Sequence, residues 1–428
     1  MAITILADLD GTLLPRPYNR RNVQEETTND DSSPHSRTRS SSRPANVPEV
    51  VHPNLSDGPA YEPLVRLLDL GATVVGVTGS QLSTHRRRFF DELPLRHRRD
   101  GRVMLAVQTG SQLYVGHGDD GRPMRDVAFD SHLSGSISTR FDDDTVNELV
   151  DIGRRGLAQF YTYLANDHTL VDRDGPLGYL IDIARKITEG TTTEGGNVID
   201  ENRIPITDNV HEVPRIEVRG RNSAVVFVGV PSPLGRNYFD VPKHLRSTVD
   251  GKPTGRSCYD CVPAGMDKSH VVRYLMRTNV IRRGRTVAIG DQPAGNDAGL
   301  TIWHGGSEGR FNTTIGSNVS VGSMESLDTI GEEKKQEEVM VVDEKHHTIP
   351  FISVSECPTM VPHRLKDCHV SRITNVEGSA KILMELVEVL EDERAGGKAA
   401  AEDASVSLCT RTVGGIVKKV NDAVNLMR

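Results

Sequence analysis

Two aspartates stand two positions apart at the end of the first apolar segment of the chain. Asp8 and Asp10 follow Ile3–Ala7 and are succeeded by Gly11 and Thr12. The apolar run is typical of a buried strand, and Gly11 permits a sharp turn that brings both carboxylates and the Thr12 hydroxyl to the strand tip. Carboxylates can act as nucleophiles, as acids or bases, or as ligands of hard cations. Because open parallel sheets bind ligands at such tips, the segment predicts a functional site.

A second group of acidic residues follows another apolar strand, far along the chain. Val287–Gly290 leads into Asp291, and Asn296 and Asp297 stand five and six residues further on. Bringing these carboxylates to the first pair would raise at least one carboxyl pKa, unless a bound cation reversed the repulsion. Mg²⁺ prefers hard oxygen ligands and uses one or two carboxylates with water and phosphate. The two groups together predict a Mg²⁺ site.

Two further residues could contact a phosphate. Thr78 ends the apolar run Ala72–Val77, and Gly79 after it lets the main chain approach a ligand closely. Lys268 is predicted in the first turn of a helix capped by Asp267, where the helix dipole disfavours a cation. Each also has a structural interpretation, since a hydroxyl after a strand can cap a helix and a lysine can be solvated surface.

These four segments, in this order, resemble the motifs of the haloacid dehalogenase (HAD) superfamily. The matching segments are D-x-D-G-T-L from Asp8, the strand ending in Thr78, the helix start at Lys268, and G-D-(loop)-N-D from Gly290 to Asp297. Most members of that superfamily are magnesium-dependent phosphohydrolases. The chain departs from the related Cof-type pattern in two places, because Ser80 replaces an arginine after Thr-Gly and the last loop is two residues longer.

The resemblance implies roles for individual residues. Asp8 would attack phosphorus to form an aspartyl-phosphate, and Asp10 would protonate the leaving alcohol and then activate water. Thr78 and Lys268 would assist catalysis. The phosphate would be bound by Gly11, Thr12, Thr78, Gly79 and Lys268. The Mg²⁺ site would comprise Asp8, the Asp10 carbonyl, Asp291, Asn296 and Asp297, with the choice between the last two left open.

The order of predicted elements indicates an α/β fold. Helical periods at Tyr61–Leu70 and Gln81–Leu93 alternate with apolar runs at Ala72–Val77 and Val103–Gln108, which predicts a doubly wound parallel sheet. We assign residues 1–110 and 262–390 to this Rossmann-like core. The segment 111–261 holds hairpin-like strands and one long helix, so we expect an α+β insertion. Its position matches the C2-type cap of the HAD superfamily.

Several segments do not fit the alternating pattern. Residues 19–53 are rich in Ser and Arg and predict a disordered insertion, and residues 305–346 predict a loop insertion. Residues 391–428 predict a charged linker and a docked terminal helix. The basic runs Arg86–Arg88 and Arg96–Arg99 are interpreted as solvated surface.

Composition excludes several classes of partner. Lys and Arg total 51 against 59 Asp and Glu, a net charge of -8, which argues against nucleic acid and anionic membrane as partners. No apolar run is long enough to span a membrane. The odd, scattered set of five cysteines favours a reducing compartment. Because Asp8 lies within the first ten residues, no cleaved leader is expected, and we predict a cytoplasmic protein.

The sequence thus predicts a Mg²⁺-dependent phosphohydrolase acting on a small phosphomonoester, with a sugar phosphate as the favoured class. Two alternatives stay open. One is a phosphomannomutase-like phosphotransferase, and the other is a non-catalytic HAD-fold protein that binds a ligand or acts as a scaffold. The oligomeric state is not predicted.

Overall fold

The fold is taken from a computed structural model. The described residues are 3–15, 18–19, 50–135, 141–175, 177–189, 192–193, 196–209, 212–219, 224–231, 234–254, 257–282, 284–292, 297–300, 302–303, 347–356, 368–395 and 408–426. Most of 19–53, all of 305–346 and residues 396–407 lie outside this set, so the predicted insertions and most of the linker stay predictions.

Two sheets organise the described residues. Their strands are β1 Thr4–Asp8, β2 Thr73–Val77, β3 Val103–Val107, β4 Gln112–His117, β5 Arg122–Arg125, β6 Arg215–Arg219, β7 Ala224–Val228, β8 Val249–Thr254, β9 Cys258–Pro263, β10 Thr286–Gly290, β11 Phe351–Ser353 and β12 Cys368–Val370. The helices are α1 Tyr61–Asp69, α2 Leu82–His85, α3 Leu95–Arg99, α4 Val127–Ser134, α5 Asp143–Asn166, α6 Tyr179–Thr188, α7 Gly235–Tyr238, α8 Ser269–Arg277, α9 Asn375–Ala395 and α10 Leu408–Leu426. A π-helical turn, Arg86–Phe90, continues α2.

The larger sheet has eight strands in the order β12-β11-β10-β1-β2-β3-β4-β5. All pairings from β12 to β3 are parallel, and only the two at the β5 edge are antiparallel. The chain leaves β1 toward β2 on one side and returns to β10 on the other. The carboxyl ends of β1 and β10 therefore lie at the point where the strand order reverses, which is where ligands bind in such sheets.

Alternation along β1 explains why helices cover both faces of this sheet. Ile5 and Ala7 pack in one apolar cluster with α1, α9 and α10, whereas Leu6 packs in a second cluster with α4 and α8. Side chains of a strand point alternately to opposite faces, and a strand buried on both faces is apolar throughout. The observed core is the predicted doubly wound α/β core, and α10 docks on it as expected.

The smaller sheet is antiparallel, in the order β6-β7-β9-β8, and forms the cap. One face packs against α5 and α6 around Phe227 and Phe160. The opposite face contributes Ala224, Val226 and Val228 to the second cluster of the core. An α+β insertion with its own core is therefore present, as predicted.

The structure differs from the predicted boundaries in two places. β4 pairs with β3 and β5 with β4 in the large sheet, whereas the sequence assigned residues 111–261 to the cap. The alternation of a hairpin is the same in either sheet, so the pattern could not place it. The predicted helix Gln81–Leu93 is instead the short α2 followed by the π-turn.

Within the described residues, no helix has both the length and the apolarity needed to cross a membrane.

Tyr18–Asn19 pairs antiparallel with Val50–Val51, so the predicted insertion that begins near residue 19 leaves and rejoins the core at one point.

Candidate active site

The first strand tip forms the tight turn that its sequence predicts. Gly11 has a φ of 83°, a left-handed conformation that favours glycine. The Gly11 amide donates to the Leu14 carbonyl at 2.9 Å, and the Thr12 amide donates to the Leu9 carbonyl at 3.2 Å. These two main-chain donors are therefore already used within the turn. The Thr12 hydroxyl, in contrast, is fully buried and has no hydrogen-bond partner among the described residues.

Three carboxylates from two strand tips meet at the switch point. Asp8, Asp291 and Asp297 are all buried, and one oxygen of each lies within 4.8 Å of the others. A side chain at Gly290 would overlap Asp297, which explains why the residue before Asp291 is glycine. The Gln292 amide donates to Asp297 Oδ2 at 3.0 Å and fixes that carboxylate.

Lys268 completes this group, which we call the strand-tip cluster: Asp8, Asp291, Asp297 and Lys268. Lys268 is fully buried, and its Nζ donates to Asp8 Oδ1 at 2.6 Å and to Asp297 Oδ1 at 2.7 Å. It lies just before α8, where Asp267 Oδ1 accepts a hydrogen bond from the Ser269 amide at 2.8 Å. Burial acts to lower the pKa of Lys268, but Asp297 and Asp8 outweigh it and raise that pKa. The interpretation of Lys268 as solvated surface is wrong.

The strand-tip cluster carries more negative than positive charge. Burial raises the pKa of Asp8 well above its ordinary value; Lys268 opposes this rise, while Asp297 and Asp291 reinforce it. Three carboxylates face one ammonium, so the cluster has an excess of two negative charges when all are ionised. Oxygen donors with this charge excess are the ligand set that suits Mg²⁺. The residues present therefore fit a divalent cation.

Thr78 and Gly79 lie beside this cluster, at the tip of β2. Asp8 pairs with Val77 in the parallel ladder, and Lys268 Nζ also contacts the Val77 carbonyl at 3.3 Å. Thr78 is buried, and its hydroxyl accepts a hydrogen bond from the Ser80 amide at 3.1 Å. Thr78 thus lies beside the strand-tip cluster, and its hydroxyl bonds within the turn before α2, whose N-cap residue is Gln81. Asn296 lies outside the described residues.

Asp10 is held by two residues that the sequence did not identify as part of the site. His85 Nε2 lies 2.9 Å from Asp10 Oδ2, and Arg88 donates to Asp10 Oδ1 at 3.4 Å. The Asp10 side chain remains 38 % exposed. Burial acts to raise the pKa of Asp10, but His85 and Arg88 outweigh it and hold that pKa well below the ordinary range. The interpretation of the run Arg86–Arg88 as solvated surface is wrong for Arg88, whose side chain is 9 % exposed.

The cap brings a second group of buried charges to the strand tips. We call it the cap cluster: Arg215, Glu217, Arg219 and Asp260. Arg219 Nε donates to Glu217 at 3.0 Å, and its guanidinium lies 3.7 Å from Asp260. The same residue donates to the Gly79 carbonyl at 2.5 Å, while Gln81 donates to Glu217 at 2.7 Å. The cap is therefore closed onto the loop that follows Thr78.

Comparisons with known proteins returned matches to solved structures alone. No protein-family model and no curated protein matches the chain. The chain is similar to the sucrose-phosphatase from Synechocystis sp. PCC6803 at 11 % identity and a TM-score of 0.37, covering 91 % of this chain and 99 % of that one. It is also similar to a haloacid dehalogenase-like hydrolase from Bacteroides thetaiotaomicron, at 15 % identity and a TM-score of 0.33, covering 68 % and 82 %.

The third similar structure is the Plasmodium falciparum IMP-nucleotidase, at 10 % identity and a TM-score of 0.33. The match covers 70 % of this chain and 62 % of that one. At these identities and TM-scores the likeness does not bear on function.

Proposed function

We propose that this protein is a Mg²⁺-dependent phosphohydrolase of the HAD type that cleaves a small phosphomonoester. The observation that carries the proposal is the strand-tip cluster, in which three buried carboxylates and one buried lysine converge from two strand tips and a helix start. Burying such a charge excess is costly unless a ligand compensates it. The order and spacing of these residues also match the HAD motifs.

The chemistry is the one that the resemblance to the HAD motifs implies for Asp8 and Asp10. An Asp8 oxygen attacks phosphorus while the bond to the leaving oxygen breaks, and Asp10 gives its proton to that oxygen, so an alcohol departs. Water then attacks the aspartyl-phosphate, Asp10 takes back a proton, and the bond between phosphorus and Asp8 breaks to release phosphate. The charge of a bound phosphate raises the pKa of Asp10, which favours the protonated form that the first step needs.

The remaining residues neutralise or orient the phosphoryl group. Lys268 offers its ammonium beside Asp8, and the Thr12 hydroxyl, which has no partner among the described residues, is a donor for a phosphate oxygen. We assign Thr78 and Gly79 to the same role, together with the turn at Gly11. Asp8, Asp291, Asp297, the Asp10 carbonyl and Asn296 are the proposed ligands of Mg²⁺. When bound, Mg²⁺ would offset the charge of the phosphate and of the carboxylates.

The cap supports a small substrate, and we propose a sugar phosphate. Arg219 and Gln81 join the cap to the loop after Thr78, so a large substrate would have to break these contacts to reach Asp8. A closed cap excludes water from the reacting groups. Sugar phosphates are the substrate class that the resemblance to C2-capped members of the HAD superfamily favours. We place the protein in the cytoplasm.

The test is phosphate release from a panel of sugar phosphates, with and without Mg²⁺. We expect release that requires Mg²⁺ and that Asp8→Asn abolishes, because an amide cannot act as the nucleophile. Asp240→Asn is the matched control, since Asp240 is exposed and pairs only with Arg246 among the described residues. Equal release by the parent and Asp8→Asn would refute the mechanism.

Two other outcomes would identify the alternatives. Transfer of phosphate between positions of a sugar, without release, would indicate a phosphomannomutase-like phosphotransferase. Binding of a sugar phosphate without turnover, together with Mg²⁺ binding, would indicate a non-catalytic ligand-binding or scaffold protein.

A further inference from the structure

The Asp10 carboxylate is held on one side and open on the other. His85 is fully buried, and the Arg88 side chain is 9 % exposed, whereas the Asp10 side chain is 38 % exposed. The two basic side chains approach different oxygens of Asp10, at 2.9 Å and 3.4 Å. This arrangement restricts rotation of the carboxylate while leaving it accessible to a ligand.

The two basic residues are themselves fixed by the fold. His85 ends α2, and Arg88 lies in the following π-turn, three positions later and therefore on the same side of the helical segment. Arg88 Nε also donates to the Pro53 carbonyl at 3.0 Å, which orients the guanidinium. π-Helical turns occur frequently at functional sites.

The buried side chains of His85 and Arg88 are not members of the strand-tip cluster. Within the described part of the chain, the ion pairs of His85 and Arg88 are with Asp10 alone. Burying a histidine and an arginine is costly without an acidic partner. The pair is therefore best explained by a role toward Asp10, separate from the residues assigned to Mg²⁺ and phosphate.

We propose that His85 and Arg88 are positioning residues that hold the Asp10 carboxylate in line with the leaving oxygen. The inference rests on the proposed function, in which Asp10 exchanges a proton with that oxygen. An alkoxide needs the proton as its bond to phosphorus breaks, whereas a nitrophenolate is stable without it. Misplacing Asp10 should therefore slow alkyl phosphates far more than aryl phosphates.

The test compares two substrates in the full-length protein with Mg²⁺ present. For His85→Leu, we expect kcat on an alkyl substrate such as glycerol phosphate to fall about 100-fold, the size of a general-acid contribution. On p-nitrophenyl phosphate we expect a fall of less than about threefold, with both KM values nearly unchanged, because only the proton transfer is affected. His85→Gln, which retains a donor, should recover part of the loss.

Arg88→Gln gives a second, milder test, with an expected loss of about tenfold on the alkyl substrate alone. Arg87→Gln is its matched control, because Arg87 is the exposed neighbour in the same turn. An equal loss on both substrates, or no loss on the alkyl substrate, would mean that His85 and Arg88 serve the fold only and would overturn the proposal.

A measurement without turnover separates this inference from the proposed function. If the parent cleaves neither substrate, the proposed function fails, and crystal structures of the parent and His85→Leu then decide the positioning role. A displaced or disordered Asp10 side chain in the variant supports it. An unchanged Asp10 side chain overturns it.

Discussion

The strand-tip cluster and the cap cluster both bury charged residues, but their charges balance differently. The strand-tip cluster contains three carboxylates, Asp8, Asp291 and Asp297, and one ammonium, Lys268. In the cap cluster, two arginines face two acidic residues. The pKa of Arg219 is raised because Asp260 and Glu217 outweigh the effect of burial, so the guanidinium stays protonated.

The difference separates a site from a structural contact. A balanced buried network can satisfy itself and needs no ligand, whereas an unbalanced one retains repulsion that only a counter-ion relieves. Burial is the main cause of the raised pKa of Asp8, and repulsion by Asp297 and Asp291 adds to it. Charge balance therefore distinguishes the two groups better than burial does.

The largest expected effect is on activity. It is measured by neutralising one carboxylate of each cluster in two separate variants. Asp291→Asn should reduce Mg²⁺-dependent phosphate release by at least about 1,000-fold, because removing a metal ligand costs several kcal/mol of barrier and each 1.36 kcal/mol is tenfold. Asp260→Asn should change kcat by less than about tenfold. Steady-state kinetics on both variants checks this. Similar losses would mean that the cap cluster also acts in catalysis.

The next effect is on stability, when the cation is removed from each cluster. Lys268→Gln and Arg219→Gln should each lower the free energy of unfolding by about 3–5 kcal/mol, because each substitution removes the positive charge that faces buried carboxylates. Adding Asp260→Asn to Arg219→Gln should restore most of the loss, since the remaining charges then balance. Urea unfolding measures all three variants, with the exposed Lys381→Gln as the control.

The outcome at the strand tips sharpens this comparison. Adding Asp297→Asn to Lys268→Gln should restore stability only in part, because the carboxylates of Asp8 and Asp291 still repel each other. Full recovery there, or no recovery in the cap, would contradict the distinction between the two clusters.

The smallest effect concerns pH. A carboxyl group with a raised pKa keeps its proton in the folded state at pH values where the unfolded chain has already lost it. The free energy of unfolding therefore falls as pH rises from the ordinary carboxyl range through the raised pKa of Asp8. Asp10 does not contribute to this decline between pH 5 and pH 7, because its lowered pKa keeps the carboxylate ionised at those pH values. Mg²⁺ should oppose the decline and raise Tm at pH 7 by about 2–4 °C.

Thermal unfolding at pH 5 and pH 7, with and without Mg²⁺, measures this effect. Asp8→Asn should flatten the dependence in the metal-free protein. A Tm that rises with pH in the metal-free parent, relative to Asp8→Asn, would contradict the assigned repulsion.

The core was predictable because its signals are local. Ile3–Ala7 and Val287–Gly290 are apolar strands that end in acidic residues, and parallel strands place such ends at one edge of a sheet. Lys268 could be singled out because a cation is unfavourable at a helix start. The meeting of Asp8, Asp291 and Lys268 therefore followed from strand ends and topology.

The role of Arg88 and the placement of β4 and β5 depend on tertiary contacts, which the sequence pattern does not encode. Arg88 stands in a run of three arginines, and sequence alone does not say which of them is buried. The available signal was the three-residue spacing from His85 and the two buried phenylalanines that follow, Phe89 and Phe90. β4 and β5 were assigned to the cap because a hairpin can extend either sheet.

The position of β1 in the sheet also has a consequence for synthesis of the chain. Its neighbour β10 begins 278 positions later (286 minus 8). At about 5–20 residues per second, a ribosome needs roughly 14–56 s to add that stretch. Until then the nascent chain holds β1 with one edge unpaired, open to pairing with other chains. The first strand of the chain therefore waits for a partner strand that is encoded far downstream.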